Sequence, residues 1–265
     1  MTNLWSRILV VIVGLPLVLG LVWLGGWWLF FLALAAGVLA LHEFLPLTRT
    51  LRPIGVAAYV GFVCILLGLQ LGGLDWGSGG LFVCLALAFL LKGLGDTRGS
   101  ATVSVGTTVL GTAWIGFGLG YVLLLRDIPE DGRLAAFTVL IAVFAADTAA
   151  YIAGRAIGRH KLAPRISPGK TWEGFVAGSA AAVFTVWIAL YKQGFLGGGR
   201  SLVLGAVIAL AAPAGDLFES ALKRDRGAKD SGRLLAGHGG MLDRLDAVLF
   251  ASVAAFYVLL AFSEV

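Results

Sequence analysis

Residues 215–246 gather Asp216, Glu219, Asp230, Asp243 and Asp246 among Lys223, Arg224, Lys229, Arg233 and Arg244, with a Gly-His-Gly-Gly turn at 237–240. The pairs Asp216/Glu219 and Asp243/Asp246 are each spaced i,i+3, which places both members on one face of a helix. Hard oxygen donors from two helix ends suit Mg²⁺, which takes one or two carboxylates and leaves other positions to water and phosphate. The interleaved bases suit a polyanion. A plainer alternative is that the acids only pair with Lys223, Arg224, Lys229 and Arg244 at the membrane surface, where such pairs contribute little. Basic clusters beside a membrane also bind anionic headgroups without further chemistry. Asp216 weighs against both, because a carboxylate at the edge of an apolar run is costly unless it has a use.

A second segment, RAIGRHKLAPRISPGKTWE at 155–173, carries Lys161, Arg165 and the run Ser167-Pro-Gly-Lys170-Thr171. Hydroxyls, a lysine and glycine backbone just ahead of a helix N-terminus can present donors to phosphate. The GxxxxGK[ST] spacing of a nucleotide P-loop is absent. Around His238, the glycines Gly239 and Gly240 allow close backbone approach and expose N–H groups. Two further acids lie inside apolar runs: Asp147, with Tyr151 a turn on, and Glu43, beside His42. Proton relay, metal ligand and structural hydrogen bond are all open for each.

The elements that position these groups are set by composition. The chain has 265 residues, 59% hydrophobic and only 13% charged, with mean hydropathy +0.93, whereas soluble domains hold about 25% charged residues. A soluble fold is excluded, and an all-α polytopic membrane protein is expected. About nine spans are expected: Ile8–Leu24, Trp27–Leu45, Ile54–Leu71, a short Gly80–Leu91, Thr102–Leu125, Leu134–Gly154, Gly174–Tyr191, Leu202–Leu217 and Ala247–Phe262. No A-x-A-like cleavage site follows the first, which reads as a retained helix. With this count sixteen lysines and arginines fall on one side and four on the other. The positive-inside rule makes the first side cytoplasmic, with the N-terminus inside and the C-terminus outside. The basic surplus follows that distribution, so no nucleic-acid role is indicated. Cys64 and Cys84 lie in apolar runs without metal-ligand spacing. Residues 1–265 read as one transmembrane domain, with the charged groups above gathered in a region at 144–246 built on cytoplasmic loops 155–173 and 218–246.

Taken together, Ser220-x-Leu222-Lys223-Arg224-x4-Lys229-Asp230-x-Gly232-x5-His238-Gly239-Gly240-x2-Asp243-Arg244-x-Asp246 resembles the signature of phosphatidate cytidylyltransferases (CDP-diacylglycerol synthases). The resemblance extends to Gly215-Asp216-Leu217 and to ADTAAYIAGRAIGRHKLAPRISPGKTWEG at 146–174. Ala236 departs from it, standing where the family usually has proline. The resemblance implies an enzyme of the plasma (bacterial inner) membrane that converts CTP and phosphatidate into CDP-diacylglycerol and pyrophosphate, working as a homodimer. It implies Asp216, Asp243 and Asp246 as metal ligands, with Asp230 and Asp147 behind them. Lys223, Arg224, Lys229 and Arg244 would hold CTP phosphates and the lipid, and His238 would orient phosphate. Ser167, Lys170 and Thr171 would close the cleft, with Ser220, Gly239 and Gly240 also facing substrate. Mg²⁺ is the implied cofactor, and a second, monovalent cation such as K⁺ is left open. Two alternatives are weighed against this: a CTP-dependent polyprenol or phytol kinase, and an ion-coupled transporter using Asp147, Glu43 and Asp216. A transporter would show two related halves with paired broken helices, and no such repeat is present.

Overall fold

A computed structural model describes residues 14–95, 99–227, 231–232 and 239–263. Among these, seven helices are long and apolar enough to cross a membrane. The elements in chain order are α1 (Gly14–Leu24), α2 (Gly26–Leu47), α3 (Gly55–Leu94), α4 (Ala101–Arg126), α5 (Gly132–Ile157), the strands β1 (Lys161–Ala163) and β2 (Ser167–Thr171), α6 (Trp172–Leu190), α7 (Gly198–Asp225) and α8 (Leu242–Ser263). The chain is an all-α polytopic membrane protein with one small β-hairpin in a connection.

Forty residues make up α3, but the element doubles back at Gly72 and Gly73, whose backbone leaves the helical region. Gly73 has φ 68°, open to glycine and strained for other residues. The two limbs, 55–71 and 74–94, pack antiparallel: a Cβ on Gly61 would strike Cys84, and one on Gly80 would strike the backbone of Cys64 and Ile65. These limbs are the third and fourth expected spans. Overpacking such a contact costs about 1–3 kcal/mol. Gly80→Val is therefore expected to lower the thermal unfolding midpoint in detergent by several degrees, read by fluorescence-detected size exclusion.

The centre of the bundle is α4, which packs against α2, α3, α5 and α8. Gly111 receives the Phe44 ring, Gly118 lies against Leu249 and Gly120 against Leu69. Small residues permit this approach where lipid supplies no hydrophobic drive between helices. Ser252 donates to the Gly118 carbonyl at 2.7 Å, satisfying a polar group between α4 and α8. Phe44, Phe62, Ile115, Leu204 and Leu242 are fully buried, while Trp76, Phe82, Phe89, Val176 and Leu210 point outward, as lipid-facing side chains do. A hairpin of α5 and α6 then leans on α7. Gly174 and Gly178 of α6 meet the carbonyls of Ala150 and Ala146.

In α7 the structure differs from the expected element. The expected span Leu202–Leu217 continues as helix to Asp225, so the loop expected from 218 starts after that residue. Phe218 and Leu222 extend the apolar face, and the i,i+4 pair Glu219–Lys223 bridges the added turn. Asp216, Ser220 and Lys223 therefore share a rigid helix face, at i, i+4 and i+7, that a loop would not provide.

Candidate active site

The segment after α5 folds into the β1–β2 hairpin, with Lys161 opposite Thr171 and Ala163 opposite Ser167. Its base is fixed to α6. The Trp172 amide donates to the His160 carbonyl at 2.9 Å, and His160 Nδ1 lies 2.7 Å from Glu173 Oε1. Thr171 is the N-cap of α6, and its buried Oγ1 accepts from the Gly174 amide. Ser167 pairs with Ala163 across the hairpin. Lys170 reaches across to α7, where its Nζ lies 2.7 Å from Asp216 Oδ2. A second tie joins the same elements, from Arg224 Nε to the Ile166 carbonyl at 2.9 Å. The two charged segments thus meet at one end of the bundle.

On α7, the Ser220 hydroxyl donates to Asp216 Oδ1 at 3.3 Å. One turn on, Lys223 Nζ lies 2.7 Å from both Glu219 Oε2 and Asp243 Oδ1. Glu219 is fully buried, and Lys223 and Asp243 nearly so. The helices are close here: a Cβ on Gly215 would strike the Asp246 carbonyl oxygen. That approach sets Asp246, on α8, against Asp216 and Glu219. Asp147 of α5 faces the same group and feels the charges of Asp216, Lys170 and Arg244.

The start of α8 is bound from two sides. Asp243 accepts from the Gly240 amide at 2.8 Å and from the Ser231 amide at 3.3 Å. Glu43 of α2, only 4% exposed, accepts from the Met241 and Leu242 amides at 2.9 Å each. The Ser231 hydroxyl also donates to Glu43, at 3.1 Å. A Cβ on Gly240 would collide with Glu43 and Ser231, and one on Gly232 with Glu43. Gly239 adopts φ 79°, a left-handed conformation natural to glycine.

The structure therefore brings together Asp147, Lys170, Asp216, Ser220, Lys223, Asp243, Arg244 and Asp246, with Arg224 of α7 alongside, tied to the hairpin turn. Lys229, Asp230 and His238 lie outside the described residues, as does Ala236. Three participants are not among the site residues that the resemblance implies: Glu219, Ser231 and Glu43. Glu219 is visible there as an i,i+3 partner of Asp216, and Glu43 as an acid in the apolar run LHEF. Ser231 carries no signal.

The residues suit a hard divalent cation in their chemistry. Among the described residues no hydrogen-bond partner meets the buried Glu219 Oε1, and Glu219 adjoins both Asp243 and Asp246. Facing carboxylates away from water call for a cation or a shared proton. Among the described residues, no three His, Cys, Asp or Glu side chains converge as a ready ion cage. Instead Lys170 sits on Asp216 and Lys223 on Asp243.

A sequence model of the family described as "Cytidylyltransferase family" matches residues 5–262. The chain belongs to the cytidylyltransferase family. A Brucella suis protein named phosphatidate cytidylyltransferase is 35% identical over 271 residues, covering all of this chain and 96% of its own. A Mycobacterium bovis protein of the same name is 34% identical over 274 residues, covering 93% of this chain and 85% of its own. The Mycobacterium leprae protein so named reaches 43% over 156 residues, or 57% of this chain and 48% of its own. In this member of the cytidylyltransferase family, the matched region runs from the first helices through α8, so the N-terminal half is part of the family's architecture and not an appendage.

Proposed function

We propose that this cytidylyltransferase-family chain is a phosphatidate cytidylyltransferase, forming CDP-diacylglycerol and pyrophosphate from CTP and phosphatidate. The observation that carries the reading is the Lys170–Asp216 contact, which joins two charged segments into one polar site at an end of an apolar bundle. A lipid with two acyl chains needs a membrane enzyme, and a triphosphate needs a cationic cleft at its surface. A groove of about 630 Å³ between α6 and α7, lined by Phe175, Val183 and Leu210 among others, gives an acyl chain an apolar seat. Leu210 lies about a turn and a half before Asp216 on α7.

In the reaction an oxygen of the phosphatidate phosphate attacks the α-phosphorus of CTP. A P–O bond forms there as the bond to the β-phosphate bridge breaks in line, and pyrophosphate departs with its electron pair. No covalent enzyme intermediate is needed. Lys170, Lys223, Arg224 and Arg244 neutralise the phosphates and the charge developing on the leaving group. Asp216, Asp243 and Asp246 would hold Mg²⁺, which when bound supplies further neutralisation of the triphosphate. Ser220 keeps Asp216 oriented, and the glycines at 239–240 keep backbone close to the phosphates.

The sixteen basic residues predicted on one side support a cytoplasmic site, and the bacterial relatives support the inner membrane. A homodimer belongs to the same proposal. The kinase and transporter alternatives draw no support from the family match.

Product analysis tests the reaction, using purified protein, dioleoyl phosphatidate, Mg²⁺ and CTP labelled at the α-phosphate. Label is expected in a lipid, with stoichiometric pyrophosphate. Label left in water-soluble CDP, with phosphate on an added prenol, would make the protein a kinase. No consumption of CTP with any lipid would end the enzyme reading.

A further inference from the structure

We infer that Glu43 is a positioning residue for the reaction, holding the first turn of α8 so that Asp243 and Asp246 face the substrate phosphates; this rests on the cytidylyltransferase reading above. Glu43 is a carboxylate buried in a membrane bundle, and such a group must be compensated. Among the described residues no ion pair reaches it. Three donors meet it instead: the Met241 and Leu242 amides and the Ser231 hydroxyl. Two of them are orphan N–H groups at a helix start, which favour negative charge and normally find a local cap. Here the cap comes from α2, 199 residues away from Leu242 in the chain.

The arrangement constrains more than one helix end. Ser231 gives its hydroxyl to Glu43 and its amide to Asp243. Gly240 gives its amide to Asp243, and a side chain on Gly240 would strike Glu43. Two carboxylates from different helices therefore fix residues 231 and 240–242 between them. Asp243 is the next residue and Asp246 follows one turn on, so any slack at the cap moves both. Charge-assisted bonds of this kind are short and directional, and loss of a residue that orients site ligands commonly costs 10–100-fold in activity.

The experiment compares Glu43→Gln and Glu43→Ala in the full-length protein purified in detergent. Steady-state kinetics with CTP and phosphatidate are measured beside hydrogen–deuterium exchange of peptides covering 239–246 and 160–172. For Glu43→Gln, the nearly isosteric variant, kcat is expected to fall about 10–100-fold, with KM for CTP changed less than about threefold and the unfolding midpoint little moved. Exchange at Met241 and Leu242 is expected to accelerate about tenfold or more while 160–172 is unchanged. A kcat within about twofold of wild type in both variants would overturn the inference. So would unchanged exchange at 241–242, or a loss of activity that only tracks the loss of folded protein. If the wild type converts no CTP, the function reading fails on its own, and the exchange result still decides whether Glu43 holds this turn.

Discussion

Lys223→Met is expected to abolish CTP turnover, by about 10³-fold or more, and to destabilise the folded protein by about 3–5 kcal/mol. The reason is the environment of its ammonium group. Lys223 Nζ bridges Glu219 and Asp243 at 2.7 Å each, and Glu219 has no exposed side-chain surface. Removing the lysine leaves two carboxylates facing each other away from water, which costs far more than the net value of the bridge. Two measurements separate the effects. Thermal unfolding in detergent should show the destabilisation of Lys223→Met. The double variant Lys223→Met/Glu219→Gln should regain most of the stability, because it removes one of the stranded charges, yet stay inactive, because the cation next to the phosphates is still missing. Restored turnover in the double variant would show that Lys223 serves folding alone.

Asp243→Asn is expected to behave in the opposite manner, losing about 10³-fold in kcat with little loss of fold. Asparagine keeps the size of the side chain and can still accept from the Gly240 amide, the 2.8 Å contact that closes the turn. What it lacks is the charge that balances Lys223 and would hold Mg²⁺. The unfolding midpoint should stay within a few degrees of wild type while labelled CTP is not consumed. Near-normal turnover in purified Asp243→Asn would remove Asp243 from the metal and phosphate site.

Much of this molecule is legible in its amino-acid sequence. Apolar runs of membrane-spanning length are a strong signal, because lipid forces every backbone polar group into a helix. The spaced pattern from Ser220 to Asp246 points to the family that the match over residues 5–262 bears out. What the residues do not disclose is partnership across the chain. The pairing of Lys170 with Asp216 depends on a β-hairpin whose strands are only three and five residues long, too short for periodicity to reveal. The helical course of 218–225 is hidden by its charge, since a hydropathy reading ends the span ahead of Glu219, Lys223 and Arg224. Thr171 resembles a phosphate ligand because Ser, Gly, Lys and Thr stand together. The same residue types also make helix caps, and the structure uses Thr171 as one. Glu43 is recognisable as an unusual acid but not as a cap, for its donors lie on the last helix and the segment before it.

That distance has a consequence for how the protein is made. Ribosomes add about 5–20 residues per second, so roughly 10–40 s separate the synthesis of Glu43 from that of Leu242, whose amide it accepts from 199 positions later. Through that interval α2 carries an acid whose partners have not yet emerged. The polar end of the bundle can be completed only once α8 is in place. A nascent chain stopped before α8 would hold six of the seven long apolar helices and none of the closed turn. Activity should therefore appear only once α8 has been made, and a chain stopped before Met241 should show none.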